Sequence, residues 1–94
     1  MMILTGVERM AKSDLLTIRG IGRTFVQDFS RINIRSIKDL VNQDAGQLFH
    51  ALRRANEAVD HKTSKNYLYV LRMAVYYANG GRDPLKLKWN AWKD

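Results

Sequence analysis

Two glycines, two arginines and a threonine fall within one short segment, which reads Arg19-Gly20-Ile21-Gly22-Arg23-Thr24. Glycine reaches positive φ without steric cost, and its missing Cβ lets a phosphate approach the backbone closely. A helix is predicted to begin after the second glycine. Its first amides have no partner inside the helix, and that helix end carries partial positive charge. The arginines can reach neighbouring phosphates and the threonine offers a hydroxyl. The segment therefore predicts a site for the phosphate groups of a polyanion.

Apolar residues on both sides of this turn are spaced as in two helices that meet there. Leu16 and Ile18 precede the glycines, and Val26 and Phe29 follow them at helical spacing. Ile21 is predicted to point away from the phosphate side and to anchor the turn in the core. The pattern is that of a helix-hairpin-helix motif. The alternative is an ordinary tight turn between two helices that binds nothing.

Composition limits the classes of function that the chain can have. Its 94 residues make one domain with one modest core, which leaves little room for a deep active site. The 16 Lys and Arg residues against 9 Asp and Glu give a formal charge of +7, which attracts polyanions. The absence of cysteine excludes disulfides and thiolate metal sites. No apolar run is long enough for a transmembrane helix. The first residues do not show the charged and then apolar order of a signal peptide. We therefore expect a cytoplasmic protein without a membrane partner.

The titratable residues do not form a recognisable catalytic set. His50 and His61 are far apart in sequence, and a metal site would need three or four ligands. Both histidines are therefore predicted to lie on the surface and not to bind a metal. Asp14 and Asp39 fit capping and helix-start roles, and Asp28 fits a solvated helix face. We therefore expect no catalysis and no bound cofactor.

The periodicity predicts an all-α, compact domain of five to six helices over residues 1–94, in which residues 1–11, including a short helix over 6–10, fray. Short helices are expected over 15–18 and 37–42 and after Pro84. The longer ones are expected over 23–31, after an Asp44 cap, and over 65–78. The last of these is apolar nearly all round, which is typical of a central helix.

The aromatic residues of the last third allow two interpretations. Four tyrosines, at positions 67, 69, 76 and 77, are predicted to place their rings in the core; the alternative is that they stack on nucleic-acid bases. Trp89 and Trp92 are predicted to fold back over the open end of the core, and the alternative is an exposed peptide-binding patch.

The chain resembles two groups of known sequences. Residues 18–26 resemble the helix-hairpin-helix pattern apolar-Pro-Gly-Ile-Gly-x-Lys-x-Ala, with Arg19, Thr24 and Val26 in place of its proline, lysine and alanine. Residues 34–40 resemble the second half of that motif. The segments 67–78 and 83–94 are similar to the small bacterial pathogenicity locus proteins, also labelled mitomycin-resistance-protein-like. This second resemblance covers about residues 10 to 94.

The resemblance implies a SAM-like helical domain with an N-terminal helix-hairpin-helix, DNA binding linked to repair, and backbone amides that contact phosphates. In related hairpins, carbonyls sometimes hold a monovalent cation. We therefore predict a non-catalytic, sequence-independent DNA-binding module that contacts the phosphate backbone through residues 19–24. Tight binding would need a homodimer, a second hairpin-like turn at residues 34–36, or a protein partner. The alternative is a protein–protein interaction (adaptor) module, because a fold does not fix a function.

Overall fold

A computed structural model describes residues 13–94, and all regular secondary structure in this range is helical. The three α-helices are α1 (Arg23–Ser30), α2 (Ala45–Glu57) and α3 (Asn66–Ala78). Four single turns of 3-10 helix are η1 (Asp14–Thr17), η2 (Ile37–Leu40), η3 (Pro84–Lys86) and η4 (Trp89–Trp92). The all-α prediction is confirmed for this range, whereas the count of five to six helices is not. The helix predicted over 6–10 lies outside the described residues.

Helix α3 is central, as its apolar composition predicts. Leu71, Met73 and Ala74 on this helix are fully buried. It packs against α2, η2 and η4, so most of the chain is arranged around it. The helix ends at Ala78, and Gly80 follows with φ +101°, a conformation that glycine adopts readily.

Helices α1 and α2 complete the core around α3. On α1, Phe25, Val26 and Phe29 form the buried apolar stripe, which confirms the spacing read from the sequence. At the start of α2, an Asp44 carboxylate oxygen accepts a hydrogen bond from the Gln47 amide at 2.9 Å, as its predicted cap requires. Leu52 is the most deeply buried residue of this helix's apolar stripe.

The short 3-10 turns are held by side chains from elsewhere in the chain. Asp14, in η1, accepts a hydrogen bond from the amide of Ile37 at 2.9 Å, and this bond caps the start of η2. Asp39 accepts from the amide of Arg35 at 2.9 Å. The capping roles predicted for both aspartates are confirmed, although Asp14 caps a turn distant in sequence. Within residues 13–94, no helix is both long and apolar enough to cross a membrane.

Candidate nucleic-acid interface

The Gly20 turn has the geometry of a type II β-turn. The amide of Ile21 donates to the carbonyl of Ile18 at 3.0 Å, and Gly20 has φ +89°. A type II turn needs positive φ at its third residue, which explains glycine at this position. Arg19 occupies the second position, where proline is common in such turns. The turn therefore forms here with arginine in place of the proline of the helix-hairpin-helix pattern.

Buried isoleucines fix this turn to the core. Ile18 and Ile21 are both buried, so the prediction that Ile21 anchors the turn is confirmed. Met73 of α3 lies directly beneath, with its Cε 3.5 Å from where a Cβ on Gly20 would stand. The turn therefore rests on the central helix, and its exposed side is the backbone of residues 19, 20 and 22.

The start of α1 is open to an anion. Gly22, the N-cap residue, has no side-chain oxygen. Apart from its two chain neighbours, no described residue has an atom within 4 Å of where a Cβ on Gly22 would stand. The first turn of α1 contains no acidic residue, and its first residue is Arg23. By contrast, Asp44 supplies a carboxylate to the start of α2. The uncapped amides of α1 and its partial positive charge are therefore available to a negatively charged ligand.

Two guanidinium groups flank these amides. Arg19 and Arg23 are exposed, as is Thr24, and neither arginine forms an ion pair with a carboxylate of residues 13–94. The turn thus presents two positive charges and a hydroxyl beside the open helix start, and the predicted site residues share one exposed surface except for buried Ile21.

A cleft of about 350 Å³ separates this turn from the C-terminal segment. Arg19 and Gly20 form one side of it. The other side consists of Leu87, Lys88, Trp89 and Asn90. Among residues 13–94, the lining contains two cations and no carboxylate. The sequence raises contact between the C-terminal tryptophans and the turn only as a question, because nothing in either segment indicates that residues so far apart lie side by side.

The C-terminal segment is fixed to α3 by its backbone and by Trp92. The Trp92 indole packs beside the Tyr76 ring, with centroids 5.5 Å apart, and its Nε1 donates to the Lys86 carbonyl at 2.8 Å. Arg72 donates to the Trp92 carbonyl and to the Asp94 carboxylate, each at 2.8 Å. The prediction that the tryptophans fold back over the core is confirmed for Trp92.

Trp89 differs from Trp92, because it remains 37% exposed. Its ring lies nearly parallel to that of Tyr69, with an angle of 13° and centroids 6.5 Å apart. Tyr69 is itself buried, which confirms the core role predicted for this tyrosine. The prediction that Trp89 covers the core is therefore only half correct, since this residue remains partly exposed.

The prediction that Asp28 lies on a solvated helix face is wrong. Its side chain is 1% exposed, and its Oδ1 lies 2.6 Å from the Arg31 guanidinium. The same guanidinium nitrogen donates to the Asn56 side-chain carbonyl at 3.0 Å. The Asn56 amide donates in turn to Thr63 at 2.9 Å. Asp28 was misplaced because its position on α1 faces polar groups of α2 and the following loop, which the local pattern does not reveal.

His61 and Tyr67 extend this buried polar cluster. His61 Nε2 lies 3.7 Å from the Asp28 carboxylate and 3.2 Å from the Tyr67 hydroxyl. Burial, followed by the neighbouring carboxylate, raises the pKa of Tyr67 above its usual value of 10.0, and Arg31 partly opposes this shift. His50 is exposed as predicted, whereas His61 is half-buried. Within the described residues, no three His, Asp or Glu side chains are placed to hold a metal ion together.

The monovalent cation implied by related hairpins would need the turn's carbonyls. Those of Ile18 and Gly22 already accept hydrogen bonds from Ile21 and Val26. The carbonyls of residues 19, 20 and 21 do not accept any of the turn and loop hydrogen bonds found between backbone groups of the described residues.

Comparison with known proteins gives one result that identifies the chain. A search of curated proteins and a search of solved structures found no significant match. The family model described as Cdd1, pathogenicity locus, matches residues 8–94, which include the glycine turn, all three α-helices and the C-terminal segment. Because this match extends over nearly the whole sequence, the chain belongs to the pathogenicity locus family.

Proposed function

We propose that this protein is a non-catalytic, sequence-independent DNA-binding module that holds the phosphate backbone through residues 19–24. In this proposal the turn and its flanking helices η1 and α1 act as a helix-hairpin-helix within a SAM-like domain. A role in DNA repair or mitomycin resistance belongs to the same proposal. The observation that carries it is the open start of α1, where a glycine with free space beside it lies between two exposed arginines.

The proposed contact uses backbone and side chains together. The amides that follow Gly22 donate to phosphate oxygens, which the N-terminal end of the α1 dipole also stabilises. Arg19 and Arg23 add charge-assisted hydrogen bonds to neighbouring phosphates. Such contacts position a protein on DNA without reading its sequence, because every nucleotide carries the same phosphate.

A titration of labelled DNA at several salt concentrations tests the proposal. Contact with two to four phosphates predicts that log affinity falls against log salt with a slope of about −2 to −4. One hairpin binds weakly on its own, so a homodimer or a protein partner is required for tight binding. Absence of binding even at low salt would overturn the proposal.

Charge reversal in the turn has a matched control on α2. Arg19→Glu with Arg23→Glu lowers the formal charge from +7 to +3, since each substitution removes two units. Arg53→Glu with Arg54→Glu makes the same change at two exposed positions of α2. We expect the first pair to abolish measurable binding and the second to weaken it only slightly. Equal losses would mean that overall charge, and not the turn, attracts DNA.

The adaptor alternative depends on an exposed patch that contains both tryptophans. Trp92 packs against the core and donates to the Lys86 carbonyl, which leaves Trp89 as the exposed member of the pair. If the Arg19→Glu, Arg23→Glu variant keeps its full function in cells, the adaptor function is favoured over DNA binding.

A further inference from the structure

We propose that the cleft between the glycine turn and the C-terminal segment binds one unpaired nucleotide of DNA, with its base stacked on Trp89. The protein then prefers DNA that has a single-stranded end or gap over a blunt duplex. This inference rests on the proposed function, because the turn supplies the neighbouring phosphate contact.

The lining of the cleft has the chemistry of a nucleotide site. Trp89 offers an exposed aromatic ring, and aromatic rings stack on bases of any sequence. Arg19 and Lys88 place positive charge on opposite sides of the cleft, and none of the lining residues that the structure describes is acidic. The side-chain amide of Asn90 adds a hydrogen-bond donor and acceptor. An aromatic face between two cations fits a base that remains joined to its phosphate.

The Trp89 ring is held in place before any ligand arrives. It lies nearly parallel to buried Tyr69 of α3. The backbone on its C-terminal side is tied to the same helix, because Arg72 donates to the carbonyl of Trp92 at 2.8 Å. A preordered ring loses little conformational freedom on binding. The Lys93 ammonium lies over the Trp89 ring, with its Nζ 5.2 Å from the ring centroid. A base that stacks on this face displaces the flexible Lys93 side chain, whose charge then stays beside the site.

The ligand must be unpaired for a geometric reason. Within a duplex, both faces of each base are covered by neighbouring bases, so an exposed ring has no base face to meet. A base at a single-stranded end or gap is free to turn out of the stack. The turn contacts only phosphates and accepts either form of DNA. Trp89 therefore makes the distinction between unpaired and paired DNA.

The test compares a short blunt duplex, the same duplex with an unpaired extension, and the extension strand alone, by fluorescence anisotropy at fixed salt. We expect the wild-type protein to bind the extended duplex about tenfold more tightly than the blunt duplex, which lies within the range measured for one stacked base. In Trp89→Ala this ratio falls to about one. Trp89→Tyr, which keeps an aromatic ring, is expected to restore most of the ratio.

Leu85→Ala provides the matched control, because Leu85 is an apolar residue of the same segment, is 73% exposed and does not line the cleft. It should leave the ratio unchanged. Thermal unfolding of each variant confirms that it folds. Equal binding of blunt and extended duplex by the wild type would overturn this inference while the proposed function stands. If the wild-type protein binds none of the three DNAs, both this inference and the proposed function are overturned. A wild-type preference that survives in Trp89→Ala would overturn the assignment to Trp89.

Discussion

The carboxylate of Asp28 and the guanidinium of Arg31 lie 2.6 Å apart, one turn from each other on α1, with the carboxylate 1% exposed and the guanidinium side chain 33% exposed. The pair connects α1 to α2 because the guanidinium also donates to Asn56. A buried carboxylate is stable only with such partners, since its isolated charge would cost several kcal/mol to desolvate.

Removal of this carboxylate is expected to be costly. Asp28→Ala leaves the Arg31 guanidinium without its carboxylate partner, and we expect the free energy of unfolding to fall by about 3 kcal/mol. Urea denaturation followed by circular dichroism measures the change. Asp60→Asn is the control, because Asp60 is exposed and asparagine tolerates its φ of +58°; its effect should stay within about 0.5 kcal/mol. A loss below about 1 kcal/mol for Asp28→Ala would contradict the structural role given to this pair.

The two glycines of the turn are expected to respond differently to alanine. Gly20→Ala forces a side chain into a φ of +89° and should lower stability by about 1–2 kcal/mol. Gly22 has extended backbone and open space, so Gly22→Ala should change stability by less than about 1 kcal/mol. Its new methyl group stands where a phosphate would approach, and DNA affinity should fall about tenfold, the effect of one lost charge-assisted hydrogen bond. Unchanged DNA affinity in folded Gly22→Ala would count against backbone binding at this turn.

Alkaline titration provides a test of the buried cluster. The pKa of Tyr67 is raised in the folded protein, first by burial and then by Asp28. A raised pKa means that the folded state holds the Tyr67 proton more tightly than the unfolded state does. The protonated hydroxyl therefore contributes fully to stability below the unfolded pKa near 10.0. This contribution is lost as pH rises through the higher folded pKa. Tyr67→Phe should therefore reduce the loss of stability above pH 10.0, as measured by denaturation midpoints across that range. An identical alkaline profile for the two proteins would refute this coupling.

The ion pair between the Asp94 side chain and Arg72 leads to a prediction for acidic pH. A hydrogen bond from Arg72, assisted by the charges of Arg72 and Lys65, holds the pKa of Asp94 below its usual value of 3.8, although burial acts in the opposite direction. A depressed pKa stabilises the fold above the unfolded value, and this contribution disappears as pH falls through the lower folded value. Arg72→Ala should move the pKa of Asp94 upward, a shift that NMR titration of its carboxyl carbon records. Lys65→Ala should raise the pKa of Asp94 by less, because the Lys65 ammonium lies 3.6 Å from this carboxylate and the Arg72 guanidinium lies 2.8 Å from it. A larger shift in Lys65→Ala than in Arg72→Ala would contradict these distances.

Local patterns predicted the elements whose determinants are local. The helices α1 and α3 were placed to within about a residue, and the Asp44 cap was identified, because apolar spacing and capping depend only on neighbours in sequence. The segments at 15–18 and 37–42 proved to be single 3-10 turns, since each is too short for side-chain periodicity to distinguish helix types.

Features that depend on distant residues were not predicted. Asp28 is a polar residue on a mostly polar face of α1. Nothing near it in sequence indicates that His61 approaches its carboxylate or that Arg31 links it to Asn56. The approach of Trp89 to Arg19 likewise depends on how the chain after α3 returns across that helix. Only the three-dimensional arrangement brings the turn and the tryptophan together, so sequence identified the turn and missed the cleft.

Helix α3 lies beneath both sides of that cleft. Tyr69 supports Trp89, and Met73 supports Gly20, exactly one (i, i+4) step further along the helix. Four residues of α-helix span about 6 Å, a length that varies little because the backbone hydrogen bonds fix it. The offset between the Trp89 ring and the glycine turn is therefore set within a single rigid element. With the function proposed above, this fixed offset would let the protein distinguish unpaired from paired DNA with little rearrangement of its backbone.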